Sequence, residues 1–233
     1  MSESLRAESE RSYRLLTAIP LSAFAAGEKW FPLDNDGVFR LSEVDPAVTY
    51  KAMETLLATG KVKAIGVSNF NIRRLEDLLS KVNVVPAANQ VEAHPYLQQP
   101  DLLKFCKEKG ILLEAYSPLG NNQTGEPRTV DDKVVHNVAS AIGIDPGAVL
   151  ASWGVQRGHV VLPKSVTPSR IKANLEVKQI PDAEYQKLND LERHKRFNFP
   201  SRWGFDIFDE AGEDEVRQIA KEAGTENKTK FTV

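Results

Sequence analysis

Val160-Val161-Leu162-Pro163-Lys164-Ser165-Val166-Thr167-Pro168-Ser169-Arg170-Ile171-Lys172-Ala173-Asn174 reads as a strand handing over to a helix. Val160, Val161 and Leu162 form a short apolar run, stopped by Pro163, as a buried strand would be. Thr167 is a good N-cap and Pro168 a good first helical residue. Lys164 and Ser165 then stand at a strand end, beside the unpaired N–H groups of a new helix, where an anion is favoured. Arg170 and Asn174, four residues apart, share a helix face. A guanidinium there can lie on an aromatic ring, and an amide can hydrogen-bond a base edge. A phosphate beside a flat heterocycle describes an adenine nucleotide phosphorylated near its ribose. An ordinary strand–loop–helix with surface charges accounts for this stretch equally well.

Outward from this stretch, the same unit repeats. Strands are expected near residues 13–19, 63–67, 88–92, 112–116 and 160–163. Asp45-Pro46 starts a helix whose apolar face is Val48, Ala52, Met53, Leu56 and Leu57, closed by Gly60. Further helices are expected from Asn71, from Pro100 to Gly110, from Asp131 to Ile142, from Asp145-Pro146, after Pro168, and from Asp182 to about Arg193. Alternation with crossovers of this length means a parallel sheet with helices outside it. The residues before Tyr13 read as a frayed start, and Phe31 to Gly37 as a turn-rich loop. Residues 1–208 form one unit, and 209–233 a polar tail, loosely attached and partly helical.

The 233 residues suffice for one large core, and 41% hydrophobic with 27% charged residues is a globular composition. A net charge of −2 gives no electrostatic case for nucleic acid or an anionic membrane. Cys106 is the only cysteine, which fits a reducing compartment, the cytoplasm. The first residues are too polar for a secretory signal, so the sequon Asn227-Lys228-Thr229 is expected to be chance. His94, His136, His159 and His194 lack metal-ligand spacing. Neither a Gly-x-Gly-x-x-Gly nor a P-loop is present.

Polar residues collect where strands end. Ser68-Asn69-Phe70, Asn89-Gln90 with Glu92-Ala93-His94-Pro95, Tyr116-Ser117-Pro118-Leu119-Gly120 and Lys164-Ser165 follow four successive strands. Barrels of this class build their active sites at those ends. A flat polar ring such as nicotinamide needs amide and hydroxyl partners, available from Ser68, Asn69 and Gln90, and an aromatic face, available from Tyr116. Capping and loop satisfaction explain any one of these residues taken alone.

Gly60-Lys61-Val62-Lys63-Ala64-Ile65-Gly66-Val67-Ser68-Asn69-Phe70, Asn89-Gln90-Val91-Glu92-Ala93-His94-Pro95, Ala115-Tyr116-Ser117-Pro118-Leu119-Gly120 and Leu162-Pro163-Lys164-Ser165 through Asn174 resemble, in order and spacing, the aldo-keto reductases of the fungal aldehyde, glycerol and xylose reductase type. The resemblance implies a (β/α)8 barrel of the TIM type, here incomplete, with strands matching the family's fourth to eighth. It implies an NADP-dependent oxidoreductase that reduces aldehyde or ketone groups of small molecules to alcohols. By the same resemblance Ser68, Asn69 and Gln90 hold the carboxamide, and Tyr116 stacks on the nicotinamide. Ser117, Pro118 and Leu119 line the pyrophosphate path. Lys164, Ser165 and Val166 meet the 2′-phosphate and ribose, and Arg170 and Asn174 the adenine. Ala173 stands where members often carry a glutamate. Arg196 to Phe208 resembles the C-terminal loop that helps line the substrate pocket, which makes Phe197 and Trp203 its candidates.

The family's proton-donor tyrosine, its lysine and its aspartate precede the fourth strand and have no counterpart in residues 1–12. Leu16-Thr17-Ala18-Ile19-Pro20 also lacks the family's histidine and tryptophan, so no catalytic residue is assigned. Without a proton for the forming alkoxide, reduction slows by orders of magnitude. The expected alternatives are a truncated or mis-spliced product, a non-catalytic NADP-binding remnant, a chain that associates with itself through exposed strand edges, and a barrel scaffold with no nucleotide site.

Overall fold

The protein is described by a computed structural model covering residues 15–20, 25, 31–42, 44–120 and 125–231. Tyr13 and the residues before it lie outside the described residues. Strands β1 (Leu15–Pro20), β2 (Ala64–Ser68), β3 (Ala88–Glu92), β4 (Leu112–Tyr116) and β5 (Val160–Val161) form one parallel sheet in chain order. Among the described residues β1 and β5 are its edges, so the sheet is an open arc. The expected incomplete barrel is thus what the chain forms.

Strand register sorts the side chains. Ser68 pairs with Gln90, Gln90 with Glu114 and Glu114 with Val160, so these positions share the concave face. Ile65, Val67, Val91, Leu113 and Ala115 alternate with them and are buried under the helices. The helices that cover them are α1 (Pro46–Leu57), α2 (Ile72–Leu79) and α3 (Pro100–Glu108). A second core forms where α4 (Lys133–Ile142), α5 (Pro146–Gln156) and α7 (Asp182–Asn189) meet, around Val138, Leu150, Trp153 and Leu188. The concave face is less covered: Leu112 is 56%, Val160 40% and Leu162 39% exposed.

Caps behave largely as their residues dictate. Asp45, Asn71, Asp132 and Asp145 each accept a backbone N–H of the helix that follows. Gly154 lets α5 approach β5, because a Cβ there would meet Val161 Cγ2 at 2.7 Å.

Four expectations need correction. Helix α1 buries Ala47, Tyr50 and Met53, while Val48, Ala52 and Leu56 face outward. The apolar stripe misled because Tyr50, with the largest apolar surface in the helix, sets the inward face. Thr167 does precede the helix α6 (Pro168–Ala173), but its side chain caps nothing; its own N–H is instead satisfied by Ser165 Oγ at 3.1 Å. Helix α6 is only six residues long and buries none of them. Helix α7 ends at Asn189, four residues before Arg193.

The fourth correction concerns the tail. Helices α8 (Glu213–Glu222) and α9 (Gly224–Phe231) bury Val216, Ala220 and Asn227. Gly37 and Gly224 touch so closely that a Cβ on Gly37 would lie 2.3 Å from Gly224 O. Asn227 Nδ2 donates to Gly37 O at 3.1 Å, so the sequon asparagine is a core residue with no room for a glycan. A tail polar on average docks because its few apolar residues fall on one face. Among the described residues no single helix is long and apolar enough to cross a membrane.

Candidate functional site

The ends of β2, β3 and β4 are wired together. Ser68 Oγ and the Asn69 N–H both donate to Gln90 O, at 3.0 and 2.9 Å. Tyr116 reaches across β3, and its hydroxyl donates to Asn69 Oδ1 at 3.0 Å. Gln90 Nε2 donates to Glu114 Oε2 at 2.9 Å, an inward-facing pair on the concave face. Asn69 sits at φ 62°, a conformation costly for a residue with a Cβ but one asparagine tolerates better than most. Asn89 holds it there: fully buried, it donates to Phe70 O at 2.7 Å and accepts from Phe70 N at 3.3 Å. Burial, and then the nearby Glu92 carboxylate, push the Tyr116 phenol up, with Arg196 and Asn69 opposing. Its ring is therefore neutral and held in one orientation.

The end of β5 adjoins this cluster, since the Leu162 N–H donates to Ala115 O at 3.0 Å. Lys164, Arg170 and Lys172 are exposed there, and none pairs with a carboxylate among the described residues. Ser165 is half-buried and Val166 exposed. Asn174 Oδ1 lies by Gly147 at the start of α5, and Leu119 Cδ2 lies by the same glycine. Ser117, at φ 47°, turns the chain out of β4; Pro118 is buried behind it. The candidates thus fall on one rim of the arc, at the carboxyl ends of β2 to β5.

The segment from Arg193 to Asp209 straps across the same rim. The N–H groups of Arg193 and Lys195 donate to Tyr96 O at 3.3 and 2.9 Å. Asn198 Nδ2 donates to Ser117 Oγ at 3.3 Å. Asn71 Nδ2 donates to Phe208 O at 3.1 Å, and Arg74 Nη2 to Asp206 O at 3.0 Å. Asp206 shapes the far end. Burial alone would raise its carboxyl, but the N–H groups of Gly212, Ala211 and Phe208 hold it below the usual range. Beside Asn69 lies a small, partly open pocket of about 30 Å³ with Arg196 and Glu210 in its wall, room for a water or two.

Phe197 and Trp203 do not meet at one wall. Phe197 packs on His94 and Tyr96 at 5.3 and 6.3 Å, against the second core. Trp203, in a 3-10 turn, lies edge-on to Phe39 at 6.4 Å, against the first. The strap between them crosses the rim.

The aldo/keto reductase family profile matches residues 29–193. The chain belongs to that family. The glycerol 2-dehydrogenase (NADP(+)) of Hypocrea jecorina is 40% identical over 82% of this chain and 63% of its own length. The D-galacturonate reductase of the same fungus is 53% identical over 60% of this chain and 45% of its own length. The glycerol 2-dehydrogenase (NADP(+)) of Saccharomyces cerevisiae is 45% identical over 69% and 52%. The aldo/keto reductase chain thus spans about half to three-fifths of the relatives it matches.

Two acidic residues in this aldo/keto reductase went without a role in the sequence. Glu92 and Glu114 sit inside strands and are buried. A carboxylate within a strand that the core covers is itself the signal, because it is buried only where partners await it.

Proposed function

We propose that this chain forms the dinucleotide-holding side of an NADP-dependent reductase of aldehyde or ketone groups in small molecules. The observation that carries the proposal is the Tyr116–Asn69 hydrogen bond of 3.0 Å, which fixes an aromatic face beside amide groups at adjoining strand ends. The residues fit the cofactor on two further counts. Asn69 Nδ2 has no partner among the described residues and is available to a carboxamide oxygen. Lys164 and Arg170 are exposed cations that pair with no carboxylate among the described residues, which leaves both available to a phosphate. Bound NADPH supplies the hydride. The residues of this chain orient the dinucleotide: Ser68, Asn69 and Gln90 at the carboxamide, Tyr116 on the ring, Ser117 to Leu119 along the pyrophosphate, and Lys164, Ser165, Val166, Arg170 and Asn174 at the phosphorylated adenosine. The names of the relatives favour polyol and sugar-acid carbonyls as substrates. The cytoplasm is the proposed compartment, a reading that rests on the use of one cysteine in the sequence, Cys106, whose buried thiol is free.

A second reading, binding without turnover, rests on the tyrosines. Among the described residues Tyr50 is buried, Tyr96 donates to Asp132, Tyr116 donates to Asn69 and Tyr185 packs against the second core, so none of these four stands as a free donor on the rim. Adding glyceraldehyde to the chain with NADPH and following absorbance separates the two. Oxidation of NADPH supports the reductase; binding with no oxidation leaves the non-catalytic binder.

Self-association belongs to the same proposal. Both edge strands and the exposed Leu112, Val160 and Leu162 invite a second copy. Sedimentation is expected to show a dimer at micromolar concentration. A folded monomer throughout removes this part.

A further inference from the structure

Glu92 is a fully buried carboxylate on the rim with three hydrogen-bonding partners. It lies at the end of β3, and its side chain, like that of His94, is 0% exposed. Oε1 accepts from the Phe197 N–H at 2.9 Å and faces His94 Nε2 at 3.0 Å. Oε2 accepts from the Asn198 N–H at 3.0 Å. A carboxylate only accepts, so Nε2 is the protonated nitrogen of His94. Two successive backbone amides in the first half of the strap are therefore fixed by one buried side chain more than a hundred residues away in sequence.

That attachment has a direction. Asn198, once its amide is held, sends Nδ2 to Ser117 Oγ at 3.3 Å. Ser117 is the left-handed residue that follows Tyr116. Phe197, held by the preceding amide, lays its ring on His94 at 5.3 Å. The outer attachments run through Tyr96 O on one side and Arg74 and Asn71 on the other, and Trp203 anchors the later half on Phe39; between Lys195 and Phe199 the backbone is held by Glu92. A buried carboxylate bonded to amide N–H groups is favourable only while they stay in place, so charge and strap secure each other.

We infer that Glu92 is the positioning residue that latches the 193–209 strap over the strand ends and, through Asn198 and Ser117, sets the rim where the dinucleotide lies. The part concerning the dinucleotide rests on the function proposed above; the latch itself does not.

Amide hydrogen exchange and NADPH titration, run on the full chain, test the two parts separately. In Glu92→Ala the amides of Phe197 and Asn198 are expected to exchange roughly 100-fold faster, as loss of two charge-assisted hydrogen bonds implies. The amides of β2 to β4 keep their protection. Glu92→Gln keeps one carbonyl oxygen in place and recovers protection at one of the two amides; it also stands in should the alanine variant not fold. Asn198→Ala leaves the latch shut but cuts the arm to Ser117. It is expected to weaken NADPH roughly threefold, and Glu92→Ala roughly tenfold. Unchanged exchange at Phe197 and Asn198 in both Glu92 variants overturns the latch. Faster exchange with unaltered NADPH affinity overturns the positioning role. Faster exchange in a chain whose wild type binds no NADPH upholds the latch and rejects the proposed function instead.

Discussion

Alanine at both Lys164 and Arg170 is expected to weaken NADPH binding roughly 100-fold while changing NADH binding about threefold. Each cation is exposed and lacks a carboxylate among the described residues, so its removal orphans no partner. Helix α6, which carries Arg170, buries none of its residues, so the fold does not depend on it. What is lost is the lysine's charge-assisted contact to the phosphate and a guanidinium that lies on the adenine and also faces that phosphate, each worth about 1.5 kcal/mol, and 1.4 kcal/mol is a factor of ten. NADH lacks that phosphate and feels only the loss of Arg170 at the adenine. Salt gives a second check. Exposed charges are screened over about 10 Å at 0.1 M, so NADPH affinity falls with salt in the wild type and far less in the variant. Equal losses for the two dinucleotides would move the phosphate away from the end of β5. The comparison is made by titration on the folded variants.

Asn89→Ala is expected to destabilise the chain by about 3 kcal/mol, because it strands two buried backbone groups of Phe70 at once. The wild-type side chain is fully buried and makes both bonds, at 2.7 and 3.3 Å. For a chain of this size the loss is a fall of about 10 °C in Tm. The same change frees Asn69 from its left-handed conformation, so the carboxamide end of the rim loosens too. Thermal unfolding reads the first effect and NADPH titration the second. A fall in Tm under 2 °C would show that Phe70 finds other partners.

Much of this was legible in the residues. Strand–helix alternation gave the parallel arc, because β-branched runs and Asp-Pro or Asn starts carry local signals that tertiary packing here did not override. The rim was legible because amides and hydroxyls follow four strands in turn. What failed was what depends on neighbours. The inward face of α1 is set by Tyr50 meeting the sheet, which a stripe of aliphatic residues does not reveal. The docking of α8 and α9 depends on Gly37 meeting Gly224, almost two hundred residues apart. The latch at Glu92 needed Phe197 and Asn198 to be brought to it. Asn89, placed with Gln90 as a candidate strand-end amide, proved to point the other way, into the helix-covered core. Period-two alternation contains that distinction, but only register against β2 makes it visible.

Calorimetric titration of the wild-type chain with NADPH and with NADH tests the account most directly. The account predicts one NADPH per chain, with micromolar affinity at least roughly tenfold tighter than NADH. Heats no larger than dilution, or equal affinity for the two dinucleotides, would contradict it.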